Sequence, residues 1–154
     1  MAVLLVRHAK AGSRKDWSGD DRLRPLSKAG HRQAEALVPL LVGYPITRVL
    51  SSPFVRCVQT VEPLAVKLGL DVDARPELAE AVDIDEPLHL VRELAATSPL
   101  LCSHGDVIPA LLDALVEQDG LRLHGPDRWA KSSTWVLEAS GDRFVTGQYL
   151  PPPD

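Results

Sequence analysis

The stretch Ala2–Ala9, AVLLVRHA, decides the fold. Its five leading apolar residues, Ala2 to Val6, form an unbroken run with no polar alternation, which reads as a strand buried on both faces. The run stops at a cation and an imidazole, so Arg7 and His8 sit at the strand's carboxyl end. A strand buried on both faces needs helices above and below it, and that requirement points to the α/β class.

The rest of the chain repeats the pattern. Ser27 is a helix N-cap signal, and Ala34, Leu37, Val38 and Leu41 share one face of a helix reaching about Leu40, where Pro39 is expected to kink or shorten it. Thr47–Leu50 reads as the next strand. Ser51, Ser52 and Pro53 then give an N-cap with proline at the first helical position, opening a helix that runs toward Leu68, contains Pro63 and stops at Gly69. Leu70–Asp73 is a short strand, Pro87–Ala96 a helix, Leu100–Ser103 a strand ending at His104 and Gly105, and Val107–Gln118 a helix. Ser133–Glu138 and Arg143–Leu150 read as late strands around a Gly141 turn. The expectation is a three-layer α/β/α sandwich with a mostly parallel central sheet, formed by residues 1–154 as one domain, since about 100 to 200 residues suit a single core.

Composition narrows the function classes. The 154 residues are 45% hydrophobic and 25% charged with a net charge of −4, which argues against a broadly basic nucleic-acid binder. No charged leader with a following apolar run and no stretch of membrane-spanning length is present, and Cys57 and Cys102 form neither a CxxC pair nor a disulfide framework. These features read as a cytoplasmic chain with reduced thiols and no membrane partner; nothing in them sets an oligomeric state. The charge is unevenly spread. Between Arg7 and Arg32 eight basic residues face three acids, whereas between Glu62 and Glu93 nine acids face three basic residues, so an anionic substrate is drawn to the N-terminal quarter.

In open parallel α/β sheets ligands bind at the carboxyl ends of strands. Three expected strand ends carry reactive side chains: Arg7 with His8, Ser51 and Ser52 followed by Arg56, and Ser103 with His104. Two guanidinium forks can hold phosphate oxygens without a metal, and neighbouring cations with burial keep an imidazole unprotonated for attack on phosphorus. Other phosphate chemistries fail on spacing. A cysteine phosphatase needs arginine six residues beyond its cysteine, but Pro63 follows Cys57 and Ile108 follows Cys102 at that distance. The Asp83-Ile84-Asp85 triplet does not end an apolar strand, and there is no Walker loop, HExxH motif or paired-cysteine metal site. Cys102, two residues before His104, reads as a strand thiol, and His31, His89 and His124 as structural or exposed.

These motifs resemble the histidine phosphatase superfamily, which has the phosphoglycerate-mutase-like fold. LVRHA at Leu5–Ala9 is similar to its Arg-His-Gly signature, SSPFVRCVQT at Ser51–Thr60 to its second motif and SHGD at Ser103–Asp106 to its third; DDRLRPLSKAGHRQA fits the segment leading into the first helix. The resemblance implies His8 as nucleophile, Arg7 and Arg56 as phosphate clamps, His104 as a further phosphate ligand, and Glu80, with Glu77 as fallback, as the acid for the leaving group. Ser13, Arg14 and Gly105 are candidate substrate-binding residues; no metal or other cofactor is implied. Ala9 stands where the family carries glycine, which places a condition on the backbone at that turn.

Between Glu80 and His104 there is sequence for only one helix and one strand, where larger family members insert lid segments. The chain is therefore most similar to the short bacterial phosphohistidine phosphatases, and the leading expectation is a phosphatase acting on phosphohistidine or other phosphoprotein. The alternative is a small-molecule phosphomonoesterase on nucleotides or sugar phosphates, because GDDRLRPL also resembles the phosphatase domain joined to some Nudix hydrolases. A mutase and a non-catalytic phosphate-binding module are the remaining readings.

Overall fold

The computed structural model describes residues 1–153. Its sheet has seven strands: β1 (Ala2–Arg7), β2 (Arg48–Ser51), β3 (Val72–Ala74), β4 (Pro99–Ser103), β5 (Arg122–His124), β6 (Thr134–Ser140) and β7 (Arg143–Leu150), in spatial order β3-β2-β4-β1-β6-β7-β5. The pairs β3-β2, β2-β4, β4-β1 and β7-β5 are parallel, whereas β6 runs antiparallel to both β1 and β7. The sheet is thus mostly parallel, as expected, with an antiparallel insertion.

Four helices cover it: α1 (Lys28–Leu41), α2 (Val55–Leu68), α3 (Asp85–Leu94) and α4 (Val107–Asp119). Because side chains alternate along a strand, β1 feeds two cores. Leu4 and Val6 pack with Leu37 and Leu41 of α1 and Val61 and Leu64 of α2, while Val3 and Leu5 pack with Val91 and Leu94 of α3 and Leu111 and Leu115 of α4. This is the expected three-layer α/β/α sandwich. None of the helices among the described residues is long and apolar enough to cross a membrane.

Some boundaries differ from the sequence reading for identifiable reasons. Helix α2 starts at Val55 instead of directly after Ser52, because the Ser52 hydroxyl accepts from Phe54 N–H (3.2 Å) and also meets His104, so Phe54 holds the N-cap position. Pro39 lies inside α1, which ends two residues later, and Pro63 is carried within α2. The three-residue strand β5 is too short and too exposed to carry a periodic signal in the sequence.

Parallel pairing aligns the carboxyl ends of β1, β4 and β2. Arg7 is in register with Ser103 and Ser51 with Cys102, and the ladder continues as His8 N–H donates to Ser103 O (3.1 Å) and Ser52 N–H to Cys102 O (2.9 Å). The chain leaves β1 toward α1 on one face and β4 toward α4 on the other, so the crevice beside these adjacent strands is a topological switch point, where ligands collect.

Candidate active site

A cleft of about 650 Å³ lies at that switch point, lined by Arg7, His8, Arg56, Glu80, His104 and Gly105 and bordered by Ser13 and Arg14. The structure therefore brings every proposed site residue to one place except the fallback Glu77, which pairs instead with Arg75 at 2.9 Å outside the cleft.

His8 is buried, and its Nδ1 lies 2.8 Å from its neighbour's carbonyl, Ala9 O. With Nδ1–H donating there, Nε2 keeps its lone pair. Burial first, and then the charges of His104, Arg56 and Arg7, push the imidazole pKa down to about 3 against the opposing Ala9 hydrogen bond. The ring is thus neutral across the physiological range. The unfolded chain protonates this histidine below about pH 6.5 while the folded one does not, so its contribution to stability is complete above that pH and lost progressively toward pH 3. Between pH 7 and 4.5 this single group is expected to cost about 2 to 3 kcal/mol; urea unfolding of wild type and His8→Gln at both pH values checks it, since the glutamine variant lacks that part of the loss.

Ala9 fits without strain. It does not have a positive φ, its N–H donates to Thr60 Oγ1 (2.9 Å), and its methyl group is buried with Leu26 and Ala34. A glycine's extra freedom is unnecessary at this turn.

Arg56 occupies the first turn of α2 and is 1% exposed. Its Nη1 donates to Asp21 O (2.9 Å) and its Nη2 to Glu80 Oε2 (2.7 Å) and Asp21 Oδ2 (3.2 Å), while its guanidinium stacks over Phe54 at 4.9 Å. Arg7 donates through Nη1 to Trp129 O (3.0 Å). The Nε–H groups of both arginines are buried with no protein acceptor, and oxyanion binding would resolve those unsatisfied donors.

Gly105 makes room for the Arg7 guanidinium: a Cβ there would stand 2.7 Å from Arg7 Cζ. Because that atom is the far end of a flexible side chain, Gly105→Ala is expected to fold normally but to displace the guanidinium. We expect kcat/KM to fall by about 10- to 100-fold with an unfolding midpoint close to wild type, as misplacing a binding group by about 1 Å can do; steady-state kinetics alongside thermal melts checks both.

His104 is buried between several partners. Its Nε2 lies 2.8 Å from Ser52 Oγ and 3.5 Å from Cys57 Sγ, its Nδ1 lies 3.5 Å from Glu80 Oε2, and its ring meets His8 at 5.5 Å and Phe54 at 4.7 Å between centroids. The thiol next to this imidazole is thus Cys57 from α2, while Cys102 points into the core beside it. Glu80 is held on its own side of the cleft by backbone geometry. Ala81 has φ 64°, and its N–H donates to Asp106 Oδ2 at 2.8 Å, tying the Glu80 segment to the loop that carries His104. His31, His89 and His124 are exposed and remote from the cleft.

Several contributors carried no sequence signal of their own: Asp21 as an acceptor for Arg56, Thr60 as the hydroxyl that accepts from Ala9 N–H and donates to Arg56 O, Asp106 behind Glu80, and Lys131 on the rim. Asp106 belonged to the quoted SHGD motif and Asp21 to the DDRLRPL stretch, so motif membership was available as a signal for both. Lys131 had no local signal. It arrives on the loop of residues 125–133, which crosses the end of β1 and presents Trp129 O to Arg7.

Known proteins resemble this chain in sequence and in fold. The chain is 41% identical over 157 aligned residues to the 8-oxo-(d)GTP phosphatase of Mycolicibacterium smegmatis, covering 99% of this chain; it spans 48% of that relative's length. Its fold matches the protein histidine phosphatase SixA complexed with tungstate with a TM-score of 0.79 at 24% identity, covering 100% of this chain and 97% of that one. The SixA protein of Agrobacterium tumefaciens matches with a TM-score of 0.77 at 27% identity, covering 98% of this chain and 97% of that one. The sequence profile of the histidine phosphatase superfamily, branch 1, matches residues 3–87, which is more than half of the chain and includes the first two motifs, and the chain belongs to that superfamily.

Proposed function

We propose that the protein is a phosphatase in which His8 attacks phosphorus directly and no metal takes part. The observation that carries this reading is the neutral, buried imidazole of His8, with its Nδ1 committed to Ala9 O, in a cleft shared with Arg7, Arg56 and His104. Arg7 and Arg56 hold the phosphoryl oxygens and His104 a further one as charge spreads over them. The His8 Nε2–phosphorus bond forms as the bond to the leaving atom breaks. Water then supplies hydroxide to phosphorus, the P–N bond breaks, and orthophosphate departs. Glu80 is the carboxyl group placed to protonate a leaving ester oxygen and later to accept the proton from water.

Two substrate classes follow from different observations. A nucleotide is favoured by the 41% identical relative, whose name is that of a (d)GTP phosphatase, and by the Lys10, Arg14, Arg24 and Lys131 cations that ring the cleft. A phosphohistidine or other phosphoprotein is favoured by the absence of an inserted lid, since only α3, a short turn and β4 lie between Glu80 and His104, and by the fold shared with SixA. Phosphate release measured across nucleotides, sugar phosphates and phosphohistidine protein separates them. We expect chelator-resistant turnover with nucleoside phosphates well ahead of sugar phosphates; preferential turnover of phosphohistidine protein would reverse the order of the two readings. Strong dependence on added divalent ion would remove the direct histidine mechanism.

A further inference from the structure

The basic side chains around the cleft outnumber those needed to hold one phosphoryl group, and they differ in how they are neutralised. Arg56 is matched by Asp21 and Glu80, Arg24 by Asp21 at 2.9 Å, and Arg14 by Glu80 at 3.6 Å. Lys10 and Lys131 line the same cleft, and no carboxylate among the described residues stands within 4.0 Å of either. Lys131 is held there by its neighbour. Ser132 is fully buried with φ 62°, a costly backbone state for a serine, and its N–H is shared between Arg7 O (3.1 Å) and His8 O (3.2 Å). The backbone of the nucleophile itself therefore fixes where Lys131 emerges. Lys131 is an exposed residue, yet partial desolvation, and then repulsion from Arg7, Lys10, Arg24 and Arg14, lowers the pKa of its ammonium. Cations collected without a counterion in this way are electrostatically unfavourable until an anion joins them.

We propose that Lys131 and Lys10 form a second anion subsite beside the phosphoryl site, which takes the adjacent phosphate of a phosphoanhydride, so that the preferred substrates carry the transferred group at the end of a di- or triphosphate. The proposal rests on His8 acting at phosphorus and specifies the substrate class of that site. As the His8 Nε2–phosphorus bond forms, the bond from phosphorus to the bridging oxygen breaks, and its electron pair becomes a new charge on the leaving phosphate. The two lysines neutralise that charge as it develops. A phosphate leaving group needs little protonation, so Glu80→Gln costs less on an anhydride than on an alkyl ester.

The test compares equilibrium binding of methylenediphosphonate, a non-hydrolysable phosphoanhydride mimic, with that of methylphosphonate at low salt. Wild type is expected to prefer the bisphosphonate by about 10-fold or more, as one added charge-assisted contact allows. Lys131→Gln should reduce that preference at least threefold, while Lys131→Arg and Lys67→Gln, the latter on the last turn of α2 away from the cleft, should retain it. In turnover, Lys131→Gln should lower kcat/KM for a nucleoside diphosphate at least fivefold more than for p-nitrophenyl phosphate. A smaller change in the binding preference, an equal kinetic loss on both substrates, or the same effect from Lys67→Gln would overturn the subsite. A phosphoprotein whose turnover alone depends on Lys131 would overturn it in favour of an acidic peptide segment. If no substrate is turned over and no phosphate becomes attached to His8, the phosphatase reading fails, and the binding ratio then decides the subsite by itself.

Discussion

His8→Ala is expected to abolish phosphate release, with kcat falling on the order of 10⁴-fold or more, because the proposed nucleophile is removed and no other imidazole nitrogen in the cleft is free of protein partners. His104, the other imidazole in the cleft, has Ser52, Cys57 and Glu80 around its ring nitrogens. The fold should survive, since His8 makes one side-chain hydrogen bond, to its own neighbour's carbonyl, and the strand beneath it is held by backbone pairing to β4 and β6. The measurement is a rapid denaturing quench at alkaline pH with phosphate-labelled substrate. Wild type should retain label that is stable to alkali and released by acid, as a phosphoramidate is, and His8→Ala should retain none while melting near the wild-type temperature. Label persisting in the variant would move the covalent step to another residue. A wild type that never acquires label while binding phosphate would be a non-catalytic phosphate-binding module.

Arg56→Met is expected to do damage of a different kind, reducing both activity and stability. Removing a preorganised donor from developing phosphoryl charge costs about 10²- to 10³-fold in kcat. The same change leaves the Asp21 and Glu80 carboxylates facing each other without the guanidinium that lies between them, and it vacates a fully buried site packed on Phe54. Loss of one partner from such a network costs about 3 kcal/mol when the pairs are buried, and less here because Asp21 and Glu80 reach solvent. Arg56→Lys should not restore activity, since a single ammonium cannot replace the planar fork that contacts Asp21 and Glu80 and, in the proposed mechanism, the phosphoryl group as well. Denaturant unfolding and steady-state kinetics on both variants check the prediction; Arg56→Lys with wild-type kcat/KM would show that only the charge matters.

The two variants mark what each side chain does in the fold. His8 is an end-of-strand group whose side chain makes one local hydrogen bond, whereas Arg56 joins α2 to the loop around Asp21 and to the Glu80 segment. That second role could not be read from the SSPFVRCVQT motif, because Asp21 is 35 residues away and Glu80 24. The proposed acid illustrates the same limit. Both Glu77 and Glu80 were candidates in one acidic segment, and only the Asp106 carboxylate on Ala81 N–H, with Arg75 drawing Glu77 elsewhere, separates them.

By itself the sequence determined the three-layer architecture and the convergence of Arg7, His8, Arg56 and His104. Apolar runs and helical spacing are local signals, and parallel pairing necessarily gathers the carboxyl ends of neighbouring strands, so residues at those ends meet whatever the loops do. Tertiary structure alone decided the rest. The tolerance of Ala9 followed from its backbone angle and the pocket formed by Leu26 and Ala34, and the position of Glu80 in the cleft from a hydrogen bond between two loops. Lys131 reached the cleft because Ser132 N–H bonds to the carbonyls of Arg7 and His8 from the far end of the chain. These positions depend on contacts between segments remote in sequence, where no local periodicity records which backbone group will face which side chain.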